Sequence, residues 1–290
     1  NGTWYTLTAT GTAGQYTAQI TAPGATSYNQ PGGYYNVTVE ATNTAGTTGS
    51  ADASTLEGLK FYVEERVAPV ITILSPSDGA YVSNNQQPVV FTVTDESGGS
   101  GVDLDSVVVK LDGTAVSAAE VTHTAITNGY SFTYTPSAAM GDGAHTVSVE
   151  AADNDGNAAA AKSTTFTVDT VPPALNVTSP AEGLVTATAA LAVSGTTNDA
   201  TSSPVVITVT LNSADQGPVT VQANGSFSKT VTLAEGANTI VVTATDAAGK
   251  VSTVTRNVTL DTSVPQIVSA GITPNPADAG ATVTITVVVQ

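Results

Sequence analysis

Val149-Glu150-Ala151-Ala152-Asp153-Asn154-Asp155-Gly156 decides the fold, because it recurs as Val39-Glu40-Ala41-Thr42-Asn43-Thr44-Ala45-Gly46 and as Val242-Thr243-Ala244-Thr245-Asp246-Ala247-Ala248-Gly249. Each copy is an alternating strand that ends in a tight turn. The turn needs Asn or Asp for local hydrogen bonds and Gly for positive φ. A second strand is expected after each, over residues 59–65, 163–169 and 252–261, and then a restart at Pro69, at Pro172-Pro173 and at Pro265. The three glycines lie about 100 residues apart, which is the length of one seven-stranded β-sandwich. The repeat therefore predicts one sandwich per copy.

Composition fits an all-β chain and narrows its partners. Of 290 residues, 41% are hydrophobic and only 11% charged, against about 25% charged in an average domain. With 24 acidic and 7 basic residues the formal charge is −17. Phosphate backbones and anionic membrane surfaces should repel such a chain, and divalent cations should be attracted. Nucleic acid is not an expected partner. Cysteine is absent, so neither disulfides nor thiolate chemistry can be invoked. No run of 18 apolar residues predicts membrane insertion.

Four segments follow from the pattern: 1–68, a sandwich lacking its first two strands; 69–170, a complete sandwich; 171–263, a second complete one; and 264–290, the first two strands of a further sandwich. In the middle segment, strands are expected over 70–74, 89–94, 106–111, 121–126, 130–135, 144–152 and 163–168. Alternation turns Val107, Val109, Leu111, Tyr130, Phe132, Tyr134, Val147, Val149, Phe166 and Val168 inward. In the first segment, residues 3–10 match the third strand of the middle sandwich and 15–21 match its 130–135 strand. Of the aromatics crowded there (Trp4, Tyr5, Tyr16, Tyr28, Tyr34, Tyr35 and Tyr62), half are expected in a core and the rest over the groove where the tail or a preceding repeat packs; the alternative is a platform for a glycan or partner. Residues 265–273 and 281–289 match the two strands that the first segment lacks. Two explanations fit: a tandem array cut within a repeat, or a subunit whose tail, through Ala281, Val283, Ile285, Val287 and Val289, adds strands to the first segment of another copy.

The chain resembles the bacterial immunoglobulin-like repeats of cell-surface adhesins, S-layer-associated proteins and phage tail appendages. The resemblance rests on Ala68-Pro69-Val70-Ile71-Thr72-Ile73, on Thr170-Val171-Pro172-Pro173, on residues 95–103 with their Asp-Glu-Ser-Gly-Gly-Ser-Gly-Val-Asp run, and on Asp153-Asn154-Asp155-Gly156-Asn157. It implies tandem immunoglobulin-like β-sandwiches arranged as beads on a string, and an extracellular place on a cell or virion surface.

In that geometry, loops after the second and sixth strands share a pole that meets the preceding domain. Asp95, Glu96, Asp103 and Asp105 are thus expected beside Asp153 and Asp155, with Glu64 and Glu65 arriving from the domain before. Calcium takes six to eight oxygens at flexible geometry, so this junction is the leading candidate for a calcium site. A weaker one joins Asp169 to Asn198, Asp199 and Asp246. The alternative is that these acids form Asx turns and a solvated surface. His123 and His145 are the only histidines, and neither has a nucleophile or metal-ligand pattern around it, so no enzyme is expected. The expected role is a structural spacer of an adhesin, stalk or fibre, partnered by neighbouring domains or copies of itself. Two other roles compete with it: a self-complementing filament subunit, and a module binding a host glycan or protein.

Overall fold

A computed structural model describes residues 2–290, and these divide into two compact units, one ending at Asp169 and the other running from Thr170 to Gln290. In the first unit, residues 2–68 form short pairs: β1 (Thr8–Ala9) with β2 (Tyr16–Thr17), β3 (Tyr35–Asn36) with β6 (Lys60–Phe61), and β4 (Val39–Thr42) with β5 (Thr48–Ala51). The match of residues 3–10 to the third strand of the middle sandwich needs correction. β1 forms a hairpin with β2, whereas the third strand of the middle sandwich lies in the opposite sheet from the 129–134 strand. The tyrosines are also not core. Among described residues of this segment Ala53 is the one buried apolar side chain, while Trp4 is 68% and Tyr16 62% exposed. The physical reason is that no second sheet lies over them.

The rest of the first unit is a two-sheet sandwich. Its strands are β7 (Val70–Ser75), β8 (Ala80–Val82), β9 (Val89–Thr94), β10 (Val102–Leu111), β11 (Thr114–Ala115), β12 (Val121–Ile126), β13 (Gly129–Tyr134), β14 (Gly143–Asp153) and β15 (Lys162–Val168). One sheet runs β11-β10-β14-β15-β8 and the other β12-β13-β9-β7. Strict alternation in β9 and β14 buries Val89, Phe91, Val93, Val147 and Val149 between the sheets, where Phe91 stacks on Phe132 at 5.0 Å. The inward residues expected from the sequence line this core. Strand β10 carries a bulge between Asp103 and Val108. The Ser106 hydroxyl plugs it, accepting from the Ala152 N–H at 2.8 Å and donating to the Asp103 carbonyl at 2.6 Å.

The second unit repeats the plan with β16 (Ala174–Ser179), β17 (Leu184–Thr186), β18 (Ala190–Asn198), β19 (Val206–Leu211), β20 (Ala214–Asp215), β21 (Ser226–Thr232), β22 (Gly236–Thr245) and β23 (Val251–Leu260). Its sheets run β16-β18-β21 and β17-β23-β22-β19-β20 around Val193, Val209, Phe227, Ile240 and Val242. The three signature turns share one geometry. The amides of Gly46, Gly156 and Gly249 return to the carbonyls of Asn43, Asp153 and Asp246, and all three glycines have φ between 83° and 91°. β24 (Ile267–Thr273) and β25 (Thr284–Val289) close the chain as a hairpin whose every residue is exposed.

Candidate metal site

Three chain segments bring carboxylates together in the first unit. Residues 63–65 continue outward from β6, and alternation leaves Glu64 exposed while turning Glu65 inward. Asp95 follows the last residue of β9, and Asp153 ends β14. One ligand atom each from Glu65, Asp95 and Asp153 lies within 4.8 Å of the others. Two oxygens on opposite sides of a calcium ion are also about 4.8 Å apart, given bonds of 2.3–2.6 Å.

The hydrogen bonds leave this centre unfinished. Glu65 Oε1 accepts from the Ser100 amide at 2.7 Å and its hydroxyl at 2.5 Å, and Asp95 Oδ2 accepts from the Gly101 amide at 2.7 Å. Their other oxygens, Glu65 Oε2 and Asp95 Oδ1, are buried with no hydrogen-bond partner. Leaving such an atom unpaired costs about 1–3 kcal/mol, and more when it is charged. Asp153 is fixed by Asn157, through its amide N–H to Oδ1 and its side chain to Oδ2, both at 2.8 Å. Beside the cluster, loss of solvation, followed by the neighbouring carboxyls of Glu65 and Asp95, pushes Glu96 up to about 7. Like charges about 4 Å apart repel by about 4 kcal/mol at a protein surface, and a cation among them would offset that repulsion. This donor set fits a hard cation with oxygen preference.

The remaining acids expected here have other tasks. Asp155 is engaged by protein donors: its Oδ2 accepts from the Thr26 hydroxyl at 2.6 Å and from the Glu65 amide at 3.0 Å. Asp103 Oδ1 caps the Asp105 amide at 3.0 Å, and Asp105 itself is exposed; Asp103 pairs with Ala152 just before the bulge in β10, and neither acid belongs to the converging group of three. Thr26 and Asn29 were not anticipated, although the Asn29 side chain donates to the Gly99 carbonyl at 2.5 Å. Asn29 ends a single 3₁₀ turn, Ser27–Asn29, whose cap is the Thr26 hydroxyl. A Thr before a polar turn is the signal that would have marked it.

Of the acids assigned to the second junction, Asp169 ends the first unit and donates its amide to the Val82 carbonyl. In the second unit, Asp199 Oδ1 accepts from the amides of Thr201 and Ser202 at 2.8 Å each. Asp246 Oδ1 accepts from the Lys250 amide at 2.8 Å, while its Oδ2 is buried without a hydrogen bond. Asn198 ends β18.

The two histidines are placed for structure. His145 puts Nδ1 at 2.8 Å from Asp112 Oδ2 and Nε2 at 2.8 Å from the Gly141 carbonyl, so two acceptors face one ring. His123 stands edge-on to Tyr130, with ring centroids 5.4 Å apart.

Residues 68–170 match the family model of the bacterial Ig-like domain, and residues 173–262 match that of glucodextranase domain B. The chain carries tandem immunoglobulin-like β-sandwiches. Among solved structures it is similar to the fibronectin(III)-like modules of Clostridium thermocellum CbhA, at 18% identity over 66% of this chain and 94% of that one, with a TM-score of 0.43. Immunoglobulin domains 1–4 of Sidekick-1 share 10% identity over 79% of this chain and 58% of theirs, with a TM-score of 0.38. A search of the curated proteins finds no match. Among the described residues no helix is long and apolar enough to cross a membrane.

Proposed function

We propose that this chain is a non-enzymatic extracellular spacer of tandem immunoglobulin-like domains, whose first joint is stiffened by calcium held between Glu65, Asp95 and Asp153, with Glu96 completing the shell. The observation that carries this reading is the pair of buried, unpartnered oxygens on Glu65 and Asp95, one on each side of Pro69. A cation there would tie the segment before the joint to two loops of the sandwich after it. Open sites of a few carboxylates bind calcium at about 10⁻⁴–10⁻³ M, the range used by extracellular modules. The similarity to bacterial Ig-like domains favours a cell or virion surface. Isothermal calorimetry on chelator-treated chain, with thermal melting in parallel, tests the reading. Calcium should bind and raise the melting midpoint, and Asp153→Asn should remove both effects. If neither heat nor a shift is seen for the unsubstituted chain, the calcium joint is wrong.

A second reading, the self-complementing subunit, is favoured by the exposed hairpin β24–β25, on which Ile285 is 66% and Val289 60% exposed. Apolar β-strands with free edges associate readily. Sedimentation velocity would distinguish the two: oligomers that vanish on deletion of residues 264–290 support the subunit, and a monomer at all concentrations rejects it.

A further inference from the structure

An open cleft of about 830 Å³ lies at one end of the second unit's sandwich, between the close of β18, the loop into β19 and the turn before β21. The two sandwiches differ in this region. In the first unit β12 runs the full length of β13, giving a four-stranded sheet. In the second, the segment before β21 meets that strand through a single bridge, Val221 to Phe227, and the sheet stops at three strands. The turn that carries this bridge, residues 222–225, forms one wall of the cleft.

Its lining has a definite chemistry. Asn176, Asn198 and Gln222 present carboxamides that make no hydrogen bond with the protein among the described residues. Each carboxamide offers an acceptor oxygen beside two N–H donors. Sugar hydroxyls, which both donate and accept, are matched by that pairing. Leu175, Val205 and Val221, the apolar residues at its border, pack against the core, so the groups left to meet a ligand are polar. No Lys, Arg or His lines the cleft; its one charge, Asp199, is negative and already holds two backbone amides. Phosphate, sulfate and uronate ligands are therefore disfavoured. The walls are also tied in place. The Thr197 amide donates to the Gly225 carbonyl at 2.9 Å and its hydroxyl to the Ala174 carbonyl at 2.8 Å. A Cβ on Gly225 would lie 2.2 Å from the Thr197 oxygen, so the turn seats directly on β18. Rigid walls lower the ordering cost of binding.

We infer that this cleft binds a neutral oligosaccharide, held by Asn176, Asn198 and Gln222. The inference stands apart from the calcium joint, since it uses residues of the second unit only. The test is a ¹⁵N amide titration of the full chain with two neutral probes, maltotetraose and tetraacetylchitotetraose, and a heparin tetrasaccharide as the anionic control. At least one neutral probe should give saturable shifts confined to residues 174–176, 196–205 and 221–225, and heparin should give none. Asn176→Ala with Gln222→Ala should weaken binding at least about tenfold at an unchanged melting midpoint; Asn198→Ala serves if that double variant melts lower. The inference is overturned if neither neutral probe shifts these amides, if the shifts fall on the first-segment tyrosines, or if the substitutions leave affinity unchanged.

Discussion

At Gly99 the proposed calcium site is decided by an atom that is absent. A Cβ there would lie 2.6 Å from both Asp95 Oδ2 and Glu65 Oε2. Its backbone is not in the positive-φ region, so Gly99→Ala strains the carboxylates and not the chain. Calcium affinity should fall at least about tenfold by calorimetry, although no ligand is removed; unchanged affinity would place the ion elsewhere. Glu96, held near 7, gives a second expectation: protons and calcium compete, so affinity measured at pH 6 and at pH 8 should rise with pH, and Glu96→Gln should flatten that rise. His145 and Asp112 titrate as a latch. Burial opposes the charge on His145, but the Gly141 carbonyl and Asp112 outweigh it and raise its pKa above 6.5. Its stabilisation is therefore complete below pH 6.5 and lost as pH climbs through the folded-state value. For Asp112 burial again opposes, while the Thr146 amide and His145 lower its pKa below 3.8, so its contribution is present above pH 3.8 and lost as pH falls through the folded-state value. Melting curves of His145→Asn should show a smaller loss of stability above pH 6.5 than the unsubstituted chain; an identical loss would show that the latch carries no weight.

Among the elements, strands with strict alternation were the legible ones. β9 and β14 could be read from Val89, Phe91, Val93, Val147 and Val149 because each inward side chain meets a second sheet and each outward one meets solvent. Phe91 is fully buried and stacked on Phe132, and truncating such a ring costs about 3–5 kcal/mol; Phe91→Ala should lower the denaturant midpoint accordingly without altering calcium binding. What failed to show in the sequence failed for physical reasons. β8 and β17 are three-residue strands that pair in parallel with β15 and β23, and three residues are too few to display a period. The bulge in β10 shifts register by a local hydrogen bond from Ser106, which no alternation count can register. The same limits governed the site: Asp153 ends β14, Asp95 follows β9, and Glu65 lies in a stretch beyond β6 where exposure still alternates, so their convergence could be anticipated. Asp155 could not be separated from them, because its partner Thr26 lies in a segment of turns. The tyrosines misled because an alternation pattern marks a face as apolar but does not say whether a sheet covers it.

For the molecule as a whole, stability is unevenly distributed, and that unevenness can be measured. Both complete sandwiches enclose dense apolar cores, whereas residues 2–68 bury Ala53 alone among their apolar side chains. That segment is held to the sandwich after it by polar contacts, chiefly Glu65 with Ser100 and Thr26 with Asp155. Regions with few buried contacts open at low free-energy cost, and proteases find them first. Arg66 lies in the joint, exposed and one residue beyond Glu65, so trypsin reports on the joint directly. With calcium bound, Glu65 is fixed on both its carboxylate and its backbone amide, and extending residues 63–68 into a protease cleft requires releasing the ion. Chelation removes that requirement, so cleavage after Arg66 should accelerate about as much as calcium stabilises the joint, tenfold for every 1.4 kcal/mol. Lys162, which opens β15, and Lys250, which immediately precedes β23, give internal references whose cutting should lag behind Arg66 in either condition. Mass spectrometry of a timed digest would read this as fragments 1–66 and 67–290. Equal rates at Arg66 with and without calcium would mean that the ion, if bound, does not hold the joint.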